Sequence, residues 1–116
     1  MELERKVELD WLLDFYGGLL TGKRREIVRL WCEEDMTLAE LGQQFGITRQ
    51  AACDALARAE DSLRGYERQL GLLARYRAIT QAAHRCEDAL DRLEKGDGKA
   101  LSEARSAIKD ILTSER

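Results

Sequence analysis

The sequence predicts an all-α protein, and three properties of its composition support that prediction. None of the 116 residues is proline, so no helix has to be interrupted by a residue without a backbone donor. Alanine, leucine, glutamate and arginine dominate and all favour helices, whereas β-branched residues are sparse. Hydrophobic residues make up 44% of the chain and charged residues 35%, a balance typical of a folded domain.

The first predicted helix runs from about Leu3 to Tyr16 and ends at Gly17 and Gly18. Its apolar side chains recur at helical spacing at Leu3, Val7, Trp11 or Leu12, and Phe15. The segment LDWLLDFY is too apolar for a helix with one buried stripe. We therefore expect this helix to pack against its own domain on one side and against another surface on the other.

A second helix is predicted over 22–32, with Thr21 as its N-cap. Its inner side is predicted to consist of Ile27, Val28, Leu30 and Trp31. The acidic run Glu33-Glu34-Asp35 then forms a solvated loop.

The stretch TLAELGQQFGITRQAACDALARA, residues 37–59, predicts a helix-turn-helix. Thr37 and Glu40 fit a capping box for a helix over 38–45, and Thr48 can cap the next helix. Gly46 lies where the turn requires a positive φ. Small or apolar residues occupy the positions at which the two helices must touch: Leu41, Gly42, Phe45, Ile47, Ala52 and Ala55.

A stripe of apolar residues continues beyond the helix-turn-helix in steps of three and four, as in a coiled coil. It includes Leu56, Ala59, Leu63, Tyr66, Leu70, Leu73, Ala83, Cys86, Leu90 and Leu93. Gly65 and Gly71 weaken a helix without necessarily ending it. We therefore predict one long helix from Arg49 to about Leu93, with Gly71 as the site of any bend.

The turn 95–98 precedes a last helix over 99–113, which is predicted to fold back on the long helix as a hairpin. Its apolar residues are Leu101, Ala104, Ile108 and Ile111. The chain thus divides into a four-helix head, 1–64, and a helical extension, 65–116. A long helix with an apolar stripe requires a partner, and the simplest is a second copy of the chain, so we expect a homodimer formed through the extension.

The bulk properties narrow the classes of function. The net charge of −3 disfavours a non-specific nucleic-acid binder. No stretch reaches membrane-spanning length and the start MELERKVELD is too charged for a signal peptide, so a cytoplasmic protein is expected. The three cysteines match neither a disulfide framework nor a zinc pattern. Because no P-loop, nucleophile elbow or glycine-rich fingerprint occurs, no enzyme, catalytic residue, cofactor or metal is expected.

The second helix of the motif has few residues suited to DNA. Thr48 could contact a phosphate, Arg49 a guanine and Gln50 an adenine. Asp54 would repel the DNA backbone, and the formal charge over 48–63 is −1. We interpret the motif as a scaffold for protein contacts in preference to a sequence-specific DNA reader.

Two basic groups offer alternative binding surfaces. Four cations crowd the start of the second helix, where each opposes the helix dipole by about 0.3–1 kcal/mol: Lys23, Arg24, Arg25 and Arg29. Farther along, Arg64, Arg68 and Arg75 would share one face of the predicted long helix. The first group could meet phosphates or an acidic partner, or equally be a solvated face with Glu26 and Glu33 as partners. The second group could bind a structured RNA or an acidic protein surface, although a solvated helix face is the preferred interpretation.

The head resembles the DNA-binding fourth region of bacterial sigma factors in Leu20-Thr21, the acidic loop and LAELGQQFGITRQ. Residues 1 to about 80 resemble the YlxM/p13-like family more closely, through LLDFYGGLLTGKRREIVRLWCEEDMTLAELGQQFGITRQAACDALARAEDSLRGYE. Gly22 departs from the proline that many relatives have at this position.

The resemblance implies a cytoplasmic bacterial protein that regulates the signal recognition particle pathway without catalysis. Its partner would be the particle's GTPase, its receptor or its RNA. A helix-turn-helix transcriptional regulator that binds DNA is the alternative, and a purely structural dimeric scaffold is a third possibility.

Overall fold

The computed structural model describes residues 1–114, which form six α-helices and no strand. They are α1 Glu2–Tyr16, α2 Gly22–Glu33, α3 Leu38–Phe45, α4 Arg49–Leu70, α5 Leu72–Glu94 and α6 Ala100–Ser114, with a 3₁₀ turn Gly17–Leu19 after α1. The all-α prediction, with its helix-turn-helix head and C-terminal hairpin, is confirmed, and the predicted long helix is divided into α4 and α5. No helix within these residues is both long and apolar enough to cross a membrane.

The chain divides into two compact units at Gly71, one ending there and the other beginning at Leu72. The division lies seven residues after the predicted end of the head at residue 64. The reason is the backbone of Gly71, which is left-handed at φ 62° and ψ 26°. Its N–H donates to the carbonyl of Glu67 at 2.8 Å and closes the last turn of α4.

The predicted single helix from Arg49 to Leu93 is therefore wrong. Gly71 occupies the left-handed position that terminates helices, a conformation that glycine adopts without the steric strain of a Cβ. The apolar stripe continues past it because α4 and α5 each need an apolar face of their own.

The buried face of α1 differs from the predicted one. Leu9, Leu12, Leu13 and Tyr16 are buried, while Leu3 and Val7 are 74% and 51% exposed. The segment LDWLLDFY contains two overlapping stripes, and the inward one carries three closely spaced leucines and a tyrosine. A second apolar stripe on α1 thus faces outward, which leaves the expected second contact of this helix a prediction.

The predictions for α2 hold. The Thr21 hydroxyl accepts a hydrogen bond from the Arg24 backbone N–H at 3.4 Å and caps the helix. The four predicted inner residues are all buried: Ile27, Val28, Leu30 and Trp31.

The helix-turn-helix forms with the predicted caps and bounds. Thr37 and Glu40 exchange two hydrogen bonds at 3.0 and 3.1 Å, which completes the capping box. Gly46 has a φ of 65°, and the Thr48 hydroxyl accepts from the Ala51 N–H at 3.0 Å. The local signals of the sequence therefore fix both ends of the turn.

Gly42 permits a close approach between α3 and the turn that follows it. A Cβ at this position would lie 2.8 Å from the carbonyl oxygen of Ile47, and the Ile47 N–H donates to the Gly42 carbonyl at 2.8 Å. The small residue is thus needed against turn backbone, whereas the sequence pattern indicated a crossing of two helices.

Two polar contacts join α1 to α4. The Glu60 carboxylate accepts hydrogen bonds from Arg5 at 2.8 Å and from Arg64 at 2.9 Å. The Tyr16 hydroxyl donates to Glu67 at 2.6 Å. Burial by itself raises the pKa of Glu60, but the hydrogen bonds from the two guanidinium groups outweigh it and leave the pKa below its ordinary value.

In the second unit, α5 and α6 form an antiparallel hairpin. Arg92 pairs with Glu103, and Arg85 pairs with Asp110 at 2.8 Å. These pairs show that the two helices run in opposite directions. The side chains buried on the two helices include five alanines: Ala82, Ala89, Ala100, Ala104 and Ala107.

The predicted inner face of the last helix is thereby corrected. Leu101 and Ile108 are 46% and 48% exposed, and Ala100 and Ala107 occupy the interior beside Ala104. Alanines let two helix backbones approach closely, whereas a leucine would hold them apart. Leu101 and Ile108 consequently lie outside the hairpin.

The close approach at Gly42 gives a test with a matched control. Gly42→Ala is expected to destabilise the first unit by about 1–3 kcal/mol, because the new Cβ meets backbone that cannot rotate away. Gly65→Ala adds the same methyl to α4, where the nearest atom is the end of the Arg68 side chain at 3.7 Å, and should stabilise by up to about 1 kcal/mol.

Urea unfolding followed by tryptophan fluorescence measures both variants, since Trp11 and Trp31 lie in the first unit. Shifts of equal sign for the two alanines would refute the tight contact at Gly42.

Acid stability tests the Glu60 contact. Because the pKa of Glu60 lies below its ordinary 4.5 in the folded chain, its stabilisation is fully present above that value and is lost as the pH falls through the lowered pKa. Glu60→Gln is expected to lower stability at neutral pH by about 1–2 kcal/mol and to flatten the decline below about pH 5.

The measurement is urea unfolding at a series of pH values, with Glu4→Gln, an exposed residue of α1, as the control. A Glu60→Gln variant whose stability falls with acid as steeply as that of the parent would contradict the assignment.

Candidate binding surfaces

The start of α4 carries the residues predicted to contact DNA bases. Thr48, Arg49 and Gln50 are all exposed. However, the Thr48 hydroxyl serves as the helix cap, and the Gln50 amide donates to Asp54 at 3.0 Å. Within residues 1–114, Arg49 has no ion-pair partner, so it is the one predicted base reader whose side chain is uncommitted.

The first part of α4 repels a nucleic acid less strongly than the formal charge of its sequence suggests. Glu60, one of the acids in the formal sum, is held by Arg5 and Arg64. The exposed charges over 48–63 are then two arginines and two aspartates: Arg49, Arg58, Asp54 and Asp61. This face is electrically balanced, which suits neither strong attraction nor strong repulsion of a polyanion.

The basic start of α2 retains three uncommitted cations. Within the described chain, Lys23, Arg24 and Arg25 lack an ion-pair partner, and Lys23 and Arg25 are exposed. They lie in the first turn, where positive charge opposes the helix dipole. An anionic partner would neutralise these charges and so reduce their unfavourable interaction with the helix dipole.

Arg29, the fourth predicted cation of this group, is occupied within the helix. Its guanidinium donates to both carboxylate oxygens of Glu26, at 3.0 and 2.5 Å, and Glu33 and Glu34 lie 3.7 Å away. The hydrogen bond from Arg29 lowers the pKa of Glu26, and the same contact raises the pKa of Arg29. Arg29 is thus a helix-stabilising residue and a poor candidate for contact with a partner.

The two groups of predicted contact residues lie on different helices of the head. The start of α2 follows the end of α1, where Tyr16 contacts Tyr66 and Glu67 of α4. Thr48, at the other end of α4, precedes Glu67 by 19 residues, or about 28 Å at 1.5 Å per residue. The length of α4 thus separates Thr48 from the helix end that contacts Tyr16.

The predicted basic face formed by Arg64, Arg68 and Arg75 does not exist as one helical face. Arg68 is exposed near the end of α4, while Arg75 is exposed on α5 in the second unit. Gly71 interrupts the helical spacing between them, and Arg64 is paired with Glu60. Arg68 and Arg75 remain separate exposed cations.

Trp31 takes part in an arrangement that sequence spacing does not reveal. The charged groups of Arg5 and Lys6 lie 4.9 and 4.8 Å from the centre of its ring, and Lys6 also pairs with Asp35. These contacts fix the start of α1 on the end of α2. Because the partners are separated by some 25 residues in the sequence, no local signal could have identified them.

The described residues offer no evident reactive centre. No group of three or more histidine, cysteine or acidic residues in 1–114 could hold a metal ion. Burial raises the pKa of Cys32 to about 12, so its thiol stays protonated at neutral pH.

Comparisons with known proteins agree with the geometry. The family described as helix-turn-helix protein, YlxM / p13 like, matches residues 3–103. A UPF0122 protein of Desulforamulus reducens is 34% identical over 106 residues, 90% of this chain and 91% of the relative. Another, of Geobacillus kaustophilus, is 36% identical over 97 residues, 84% and 88% of the two chains. A third, of Lacticaseibacillus casei, is 36% identical over 110 residues, 95% and 96% of the two chains. The chain therefore belongs to the YlxM/p13-like family of helix-turn-helix proteins.

Proposed function

We propose that this chain is a regulatory binding protein of the bacterial signal recognition particle pathway, without chemistry of its own. The observation that supports a binding role is the group of three uncommitted cations at the start of α2: Lys23, Arg24 and Arg25. The choice of pathway rests on the family resemblance, which points to the particle's GTPase, its receptor or its RNA. A homodimer formed through the second unit is part of the same proposal.

The chemistry of the α2 group favours an anionic partner. Three cations within one turn create a local positive potential that a chain of net charge −3 does not show as a whole. The RNA of the particle carries phosphates, and its protein components can offer acidic side chains. Binding at this surface leaves the helix-turn-helix as the scaffold that holds α2 in place.

Charge reversal tests this surface. Lys23→Glu combined with Arg25→Glu is expected to weaken binding to the particle component by at least about tenfold. The variant should fold at least as well as the parent, because acids at a helix N-terminus favour the dipole. Purified GTPase, receptor and RNA are titrated separately with the parent and the variant, and GTP turnover is followed in the same mixtures.

Lys95→Glu combined with Lys99→Glu is the matched control, since it makes the same charge change in exposed residues of the second unit. The proposal fails if the parent binds none of the three components and leaves their GTP turnover unchanged. It also fails if both double variants weaken binding equally, since only net charge would then matter.

The second candidate function is a DNA-binding transcriptional regulator, and one observation favours it. The helix-turn-helix is complete, and Arg49 is exposed and uncommitted at the start of α4. Arg49 is the residue type that pairs with guanine in the major groove. Under this function the α4 surface, about 28 Å along that helix from its contact with Tyr16, would bind the duplex.

Salt titration separates the two functions. We expect Arg49→Ala to leave binding to the particle component unchanged and duplex DNA to bind weakly without sequence preference. Fluorescence anisotropy with the particle's RNA, promoter-like DNA and random duplex provides the measurement. Tight binding to one DNA sequence, lost with Arg49→Ala, would replace the proposed function with the alternative.

A further inference from the structure

The hairpin of the second unit leaves large apolar side chains in solvent. Leu90 on α5 and Leu101, Ile108 and Leu112 on α6 are between 46% and 63% exposed. The alanines between the helices bury little surface by comparison. An αα-hairpin built in this way has its main apolar surface on the outside.

On α5, the exposed apolar residues lie on one side. Successive residues of an α-helix are rotated by about 100°. If the rotation is counted from the buried Ala89, the helix places Leu90 and Leu93 on one side of it. Arg92 lies on the other side. Arg92 marks the side on which the two helices are joined by ion pairs.

The same holds for α6. If the rotation is counted from the buried Ala104, the helix places Leu101 and Ile108 on one side of it. Glu103 lies on the other side. Because Glu103 is the partner of Arg92, the apolar residues of both helices point to the same face of the hairpin. The opposite face carries the ion pairs, and this apolar face carries none of them.

The two edges of the apolar face carry opposite charges. A groove of about 720 Å³ with an apolar floor of Cys86, Leu90 and Ile111 is bordered along α5 by Glu87, Asp91 and Glu94. A second groove along α6, which contains Ile108 and Leu112, is bordered by Arg105 and Lys109. The face is therefore acidic along one helix, apolar in the middle and basic along the other.

We infer that this face packs on the same face of a second copy, with α5 against the partner's α6, in an all-antiparallel four-helix bundle. The charge pattern selects this occupant, since a surface with one acidic and one basic edge is complementary to itself. The inference rests on the proposed homodimer and is independent of the proposed binding target.

Charge also selects the symmetry of the bundle. A twofold axis parallel to the helices places α5 of one copy over α6 of the other, so each acidic edge meets a basic edge. A twofold axis across the helices places α5 over α5, so acid would meet acid and base would meet base. Both arrangements make every pair of neighbouring helices antiparallel, so the charges decide between them.

The register follows from the ion pairs inside the hairpin. Arg92 and Glu103 lie at one level along the hairpin axis, and Asp91 and Arg105 lie within about one residue of a common level beside them. A twofold axis parallel to the helices preserves these levels. Asp91 of one copy therefore lies beside the partner's Arg105. By the same count, Glu87 lies beside the partner's Lys109.

Complementary charge reversals test the bundle. Asp91→Arg and Arg105→Asp are each expected to raise the dimer dissociation constant by at least about tenfold, because each places like charges together at two symmetric sites. Mixing the two variants in equal amounts is expected to restore dimers, since a mixed dimer regains opposite charges at both sites. Sedimentation across a dilution series measures the three samples.

Lys99→Glu is the control, because Lys99 lies four residues before Glu103 on the ion-pair side and its variant should dimerise like the parent. Recovery on mixing also shows that each variant is folded. A parent that is monomeric at every concentration overturns the inference together with the homodimer. An Asp91→Arg variant that dimerises more tightly, or a mixture no better than its components, overturns the bundle alone. None of these outcomes alters binding of the particle component by α2.

Discussion

The left-handed backbone at Gly71 is the constraint on which the organisation of this protein depends. A residue with φ 62° cannot continue an α-helix, so α4 ends there and its last turn closes on the carbonyl of Glu67. The break separates the head from the hairpin and allows each unit to bury its own apolar stripe. It also prevents the recognition helix from extending into a coiled coil.

Within the head, the helix-turn-helix is built to be rigid. Caps at Thr37 and Thr48, the positive φ of Gly46 and the close approach at Gly42 fix the angle between α3 and α4. The surface that such a motif usually presents to DNA is largely committed to internal hydrogen bonds. Apart from Arg49 on that surface, three predicted contact residues without an ion-pair partner lie at the start of α2: Lys23, Arg24 and Arg25. Under the proposed function the motif holds α2 in place, and the partner binds on α2.

Local signals in the sequence were sufficient for the bounds of α1, α2 and α3, the capping box and the turn, because each depends on residues within one or two turns. They were insufficient where the answer depends on contacts distant in sequence or on a choice between two local alternatives. Arg29 could either face a partner or pair with Glu26 and Glu33 on its own helix, and the choice depends on rotamers. The outward stripe on α1 and the alanine interior of the hairpin depend on which of two possible faces packs better. Gly71 was ambiguous because glycine within an apolar stripe can weaken a helix or terminate it.

The most direct measurement of the central claim is a chemical-shift map of the backbone amides as the particle's RNA, GTPase or receptor is added. The account predicts that the largest changes occur at Gly22, Lys23, Arg24 and Arg25, with small changes at Arg49, Gln50 and Asp54. Changes concentrated at the start of α4, with α2 unaffected, would contradict it and would restore the recognition helix as the functional surface.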